Sequence, residues 1–87
     1  MVEITYNKNI QVNEEKEFDV CYHLISENGI YSVECFVEHS VEKNPMTYCF
    51  IHNFTKDKAE AVKFVETLAN GEVLPIHVKD IYEDQLT

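Results

Sequence analysis

The 87 residues allow one compact domain and leave no room for two, and 45 % hydrophobic residues with five Tyr, five Phe, two Gly and two Pro exclude a disordered or fibrous chain. Sixteen acidic residues stand against seven lysines, with no arginine, for a net charge of −9. That balance argues against direct binding to nucleic acid or to an anionic membrane, because counterion displacement and phosphate recognition need a cationic face and commonly arginine.

The first fifteen residues hold one weak strand candidate, Val2 to Tyr6, followed by a polar connection from Asn7 to Lys16. Residues 17 to 39 carry the clearest pattern. Two alternating runs, Glu17 to Glu27 and Ile30 to His39, flank Asn28-Gly29, a dipeptide suited to the two-residue type I′ hairpin turn. Pairing Glu27 with Ile30 places Leu24 opposite Val33, Tyr22 opposite Cys35, Val20 opposite Val37 and Phe18 opposite His39, an almost wholly apolar face. The other face carries Cys21 with Phe36, His23 with Glu34, Ile25 with Ser32 and the like-charged pair Asp19 with Glu38, so it is expected to be partly covered at most. An acid at Val33 should therefore unfold the domain, while one at Ser32 should be tolerated.

Asn44-Pro45 is a turn signal, and Thr47 to Phe54 reads as a further strand antiparallel to its predecessor. Tyr48, Phe50, His52 and Phe54 alternate with Cys49, Ile51 and Asn53, so both sides are apolar and the core side stays open. At Thr55 the period changes. Thr55 is a candidate cap, Asp57 suits the positive end of a helix, and Ala61, Val62, Phe64, Val65, Leu68 and Ala69 follow at helical spacing, which predicts a helix from Lys56 to Asn70 with a left-handed stop at Asn70-Gly71. A second helix, Pro75 to Leu86, is expected to put Val78, Ile81, Tyr82 and Leu86 on one side and Lys79, Asp80, Glu83 and Asp84 largely on the other.

Cys21, Cys35 and Cys49 are an odd count without a C-x-x-C pair, so a disulfide framework is not expected. Cys21 and Cys35 fall on opposite faces of the proposed hairpin, and the odd separation of Cys49 and His52 sends those side chains apart as well, so no metal site is expected. The neighbours Cys21 and His23 hint at a nucleophilic pair, yet a strand interior lacks the oxyanion donors that acyl transfer uses, and packing is the simpler reading. No catalytic residue and no cofactor follow from the chain, whose glycines, Gly29 and Gly71, cannot form a phosphate loop.

The most specific polar cluster is in the last helix. His77, Asp80 and Asp84 stand at i, i+3 and i+7 with Glu83 adjacent, a stripe able to face a divalent cation or a lysine-rich partner. Its plainest reading is the solvent side of an amphipathic helix. The acids are spread evenly, nine in residues 1 to 44 and seven in 45 to 87, so no acidic tail separates from the domain.

The run Val73-Leu74-Pro75-Ile76-His77-Val78-Lys79-Asp80-Ile81-Tyr82-Glu83-Asp84-Gln85-Leu86 resembles the closing motif, Val-x-Pro-x-x-Leu-x-Asp-Val-x-Glu-Asp, of a small family of uncharacterised proteins from Gram-positive, largely anaerobic, clostridial-type bacteria. Tyr22, Asn28-Gly29-Ile30 and Phe54-Thr55-x-Asp57 stand where that family has its turn and helix start, with Asn28 in place of the turn's aromatic residue. The resemblance spans roughly Phe18 to Leu86; it implies a fold and no activity.

The expected architecture is a single α+β domain over residues 1–87: a three- to four-stranded antiparallel meander covered by one main helix, with a short C-terminal helix at its edge. No run nears the about 20 apolar residues of a membrane span, and Glu3 and Thr5 lie where a secretory signal would be apolar, so a cytoplasmic location is expected. The expected role is a non-enzymatic interaction or regulatory module whose partner is another protein, basic in character, with His77, Asp80, Glu83 and Asp84 as candidate contacts. Self-association as a homodimer is left open. The alternative is an acidic decoy, for example of phage origin, that occupies a basic nucleic-acid-binding site on a partner protein.

Overall fold

A computed structural model describes residues 1–39 and 46–85. Four strands, β1 (Val2–Gln11), β2 (Glu17–Glu27), β3 (Ile30–Val37) and β4 (Tyr48–Thr55), are followed by two helices, α1 (Lys58–Asn70) and α2 (Pro75–Gln85). The strands form one antiparallel sheet in the order β1-β2-β3-β4, an up-and-down meander.

The β2–β3 hairpin has the register read from its sequence, from Glu27 opposite Ile30 to Val20 opposite Val37. Asn28 (φ 54°) and Gly29 (φ 77°) both lie in the left-handed region, as a type I′ turn requires. The pairing ends earlier than expected. After the Glu38 amide donates to the Asp19 carbonyl at 2.7 Å, His39 turns left-handed (φ 66°), so Phe18 and His39 do not pair as strand residues.

At the N-terminus the strand continues well past Tyr6. Asn7 to Gln11, expected as a connection, pair in register with Glu17 to Cys21 and complete a ten-residue β1. The true connection is residues 12–16, where the Asn13 side-chain oxygen accepts from the Glu15 and Lys16 amides at 2.8 and 2.9 Å, an Asx turn that tightens the loop. Polar residues serve in β1 because only its inner side, Ile4, Tyr6 and Ile10, meets the core.

In β4 the open question of sidedness is decided by an irregularity. Val33 pairs with Ile51, but Tyr31 pairs with Thr55, so extra β4 residues lie opposite Ser32, and Asn53 takes φ 50° there. Cys49 and Ile51 face the core on one side of this bulge; beyond it the phase changes and Phe54 also packs inward, its ring 5.2 Å from Phe64 and 6.2 Å from Tyr82. Ser32 is consequently buried, only 5 % exposed, with its hydroxyl accepting from the Asn53 amide at 2.8 Å. The expectation that an acid would be tolerated there is corrected: a carboxylate would fill the bulge and displace that bond.

Helix α1 begins at Lys58, two residues later than expected, because Asp57 is its cap: the Asp57 carboxylate accepts from the Glu60 amide at 3.2 Å. Thr55 supports this cap instead of being it, accepting from the Asp57 amide at 3.1 Å and donating to Glu60 Oε2 at 3.1 Å. Ala61, Phe64, Val65, Leu68 and Ala69, at i, i+3, i+4, i+7 and i+8, are buried against the sheet. The helix end differs from expectation in one residue. Gly71 keeps a right-handed conformation (φ −83°), and Glu72 is the left-handed residue (φ 50°). The Glu72 amide donates to the Ala69 carbonyl and the Val73 amide to that of Leu68, each at 3.1 Å, the bond pattern of a Schellman stop.

Helix α2 starts at Pro75 and buries Pro75 and Val78, with Ile81 and Tyr82 half-buried; Leu86 lies outside the described residues, as do Asn44 and Pro45. The core joins inner-face residues Val20, Tyr22, Leu24, Val33, Cys35, Cys49 and Ile51 to the buried sides of both helices. At its centre the Tyr22 hydroxyl donates to the Val73 carbonyl at 2.6 Å, fastening the sheet to the connection between the helices. Each helix therefore lies on the Tyr22 and Leu24 side, and among the described residues no helix covers the opposite face.

Candidate functional site

The uncovered face is built by alternation. In β2 and β3, the residues that are not in the core, Cys21, His23 and Ile25 opposite Phe36, Glu34 and Ser32, share the outer side, and in β4 Tyr48 and Phe50 stand opposite Phe36 and Glu34. Ile25, Phe36, Tyr48 and Phe50 are partly buried there, outside the core cluster.

A continuous polar row crosses this face. Glu34 Oε1 accepts from the Nδ1–H of His23 at 3.2 Å, which leaves Nε2 as the acceptor for the Cys21 thiol, whose sulfur is 3.2 Å away. The second carboxylate oxygen of Glu34 accepts from the Tyr48 hydroxyl at 2.8 Å. His23 packs against Phe36 in a T-shaped arrangement with ring centres 5.3 Å apart, which helps to hold the imidazole, and the rings of Phe50 and His52 lie 5.8 Å apart along β4.

The row has the order of a thiol, base and carboxylate, and its electrostatics run the other way. Burial, reinforced by the carboxylates of Glu38 and Glu34, pushes the Cys21 thiol up to about 11, so at neutral pH it is a thiol and not a nucleophilic thiolate. Tyr48 is likewise pushed up to about 12 by burial and its bond to Glu34, and donates instead of ionising. Cys21 is 3 % exposed in mid-strand, where the backbone amides are committed to the sheet and none is aimed as an oxyanion donor. What the arrangement does chemically is hold four polar side chains, buried or partly buried, in fixed positions on the sheet face that the helices leave free.

Cys35 lies on the inner face, away from Cys21, and Cys49 is buried while His52 is exposed; the opposed directions read from the sequence hold. All three cysteines are free, and among the described residues no three His, Cys, Asp or Glu side chains converge as metal ligands.

His77, Asp80, Glu83 and Asp84 are all exposed on α2, on the side away from Val78. They lie on a different layer from the Cys21–Tyr48 row. Sequence reasoning placed Cys21, His23 and Glu34 on one face but missed Tyr48 and Phe50 as their neighbours. The signal was the β3–β4 register, hidden because β4 is apolar on both sides and changes phase at Asn53.

Charge distinguishes the uncovered face as well. Glu17, Asp19, Glu34 and Glu38 lie on it, and among the described residues no lysine of β2, β3 or β4 does, because these strands contain none. Lys56, Lys58, Lys63 and Lys79 all belong to the helical layer and its approach.

No helix of the described residues is long and apolar enough to cross a membrane. No curated protein and no solved structure matches the chain. A family match does exist and extends from residue 1 to residue 87, so the chain belongs to the family of unknown function DUF6514.

Proposed function

We propose that this protein is a non-enzymatic interaction module, cytoplasmic and of Gram-positive bacterial origin, that engages a partner protein through the uncovered face of its sheet. The observation that carries this reading is the sidedness of the sheet. One face is sealed by two helices, while the other presents Ile25, Phe36, Tyr48 and Phe50 around a hydrogen-bonded polar row. Partly exposed apolar side chains flanking fixed polar groups on one side of a small domain are a form that docking surfaces take. The protonated state of the Cys21 thiol supports a binding role over a chemical one.

The test is photocrosslinking in the producing cell from a reactive residue placed at His52, on the uncovered face, or at Lys63, on the exposed side of α1. A discrete crosslinked protein from position 52 and none from position 63 is expected. The reverse pattern would move the docking surface to the helical layer, and crosslinks from neither would refute the reading.

A second reading, the acidic decoy, is favoured by the concentration of carboxylates on a lysine-free surface within a chain of net charge −9. It is distinguished by the identity of the crosslinked protein: a nucleic-acid-binding protein released by added DNA or RNA supports it. The α2 stripe of His77, Asp80, Glu83 and Asp84 is the competing contact surface, and a reactive residue at His77 reports on it in the same experiment.

A further inference from the structure

The uncovered face carries enough detail to specify what fits it. We propose that its occupant is a basic amphipathic helix of a partner protein, laid along β2 and β3 with its apolar stripe on Ile25, Phe36 and Phe50 and its lysine or arginine side chains against Asp19, Glu34 and Glu38; this inference rests on the docking role proposed above.

The shape argument comes from layering. A sheet with an apolar centre on each face is stable when both faces are covered, and helices already cover one. Eight consecutive residue pairs join β2 to β3, which at about 3.4 Å per residue makes a track about 27 Å long. A helix of about 18 residues spans that length at about 1.5 Å per residue.

The charge argument selects the partner's sign. Asp19 and Glu38 sit side by side at the open end of the hairpin, where the Glu38 amide bonds the Asp19 carbonyl, and Glu34 lies mid-track. With no lysine on β2, β3 or β4, and with Glu34 already bonded to His23 and Tyr48, a cationic border on the incoming helix gains most from Asp19 and Glu38. A second copy of this chain fits poorly, because both faces would bring the same excess of carboxylates to the contact.

The experiment titrates the full chain, labelled for NMR, with three 18-residue model peptides: a leucine–lysine amphipathic helix, a leucine–glutamate helix of the same pattern, and a lysine–serine peptide with no apolar stripe. The leucine–lysine helix is expected to bind at least tenfold more tightly than either control, shifting the side-chain signals of Phe36 and Phe50. The double variant Phe36→Ser/Phe50→Ser should weaken it at least tenfold, whereas Asp80→Asn/Glu83→Gln/Asp84→Asn should leave it within twofold. If the phenylalanine variant does not fold, Asp19→Asn/Glu38→Gln takes its place, with an expected loss of at least threefold that disappears in high salt. Equal binding of the lysine–serine peptide, or loss of binding in the α2 variant instead, would overturn the proposal. A crosslinked partner at position 52 together with failure of the leucine–lysine helix would leave the docking role standing and remove the helix from it.

Discussion

Alternate residues of the same strands build two faces with opposite fates. Tyr22 and Tyr48 make the contrast concrete: each is a strand tyrosine with a bonded hydroxyl and a raised pKa, yet Tyr22 is fully buried and donates to the Val73 backbone under the helices, while Tyr48 donates to the Glu34 carboxylate on the open face. Cys35 and Cys21 divide in the same way. The inner face is fixed by packing against α1 and α2, where each side chain has many neighbours. On the outer face a chain of side-chain hydrogen bonds does the fixing, and among the described residues no helix covers it. Stability therefore resides on one side of the sheet and recognition, in the reading proposed above, on the other.

The largest expected effect separates the faces outright. Val33→Asp places an unpaired carboxylate in the fully buried core and should cost more than about 4 kcal/mol, enough to unfold the domain, whereas Thr5→Asp on the exposed outer side of β1 should stay within about 0.5 kcal/mol. Urea denaturation of the two variants measures the difference, and similar midpoints would break the assignment of faces. Ser32 sharpens it, since it belongs to the outer side by register yet is buried in the bulge. Ser32→Ala should cost about 1–3 kcal/mol by leaving the Asn53 amide without its acceptor.

The paired tyrosines come next. Tyr22→Phe should cost about 1–2 kcal/mol, because the Val73 carbonyl loses its hydroxyl donor beneath the helices, and Tyr48→Phe less than about 1 kcal/mol, because Glu34 keeps His23 and has access to water. Equal losses would mean that the two hydroxyls are equally isolated from solvent.

Alkaline pH probes both faces together. Burial raises the thiols of Cys21, Cys35 and Cys49 and the hydroxyls of Tyr22 and Tyr48. A raised folded-state pKa gives stability that is complete below the unfolded value and lost as pH climbs toward the folded one. Melting temperature should accordingly be flat through neutral pH and fall from about pH 8.5, the ordinary thiol value, toward the Cys21 value of about 11. Cys21→Ala should remove the Cys21 share of that fall and leave the share of Tyr48; an unchanged profile would show that burial does not raise the Cys21 thiol.

The smallest effect lies in the helical layer and has the opposite sign. Glu72→Gly should stabilise the domain by about 0.5–1 kcal/mol, since glycine adopts the left-handed stop without a Cβ penalty. Gly71→Ala should not match it, because an added Cβ would lie 3.2 Å from the Thr67 carbonyl oxygen. Thermal melts of the two variants check the sign.

What the sequence determined by itself is what short-range chemistry enforces. Asn28-Gly29 specified a turn with two left-handed residues, and two-residue alternation around it then fixed the partner of every side chain from Val20 to Val37. The spacing of Ala61, Phe64, Val65, Leu68 and Ala69 likewise fixed the buried side of α1. The candidate site was half legible for the same reason: Cys21, His23 and Glu34 belong to that hairpin, and Tyr48 and Phe50 do not.

Tertiary structure decided the elements whose sequences are locally ambiguous. Asn7 to Gln11 became strand because the β2 edge supplied backbone partners that a polar segment satisfies as well as an apolar one. The β4 residues acquired a core side only when the bulge at Asn53 set their phase against Ser32 and Val33. Glu72, not the neighbouring glycine, became the left-handed residue because the path from α1 to the Tyr22–Val73 bond set where the chain must turn. Which face stayed open was beyond local pattern altogether, since it depends on where the two helices dock, a choice made by the summed burial of residues distant in sequence.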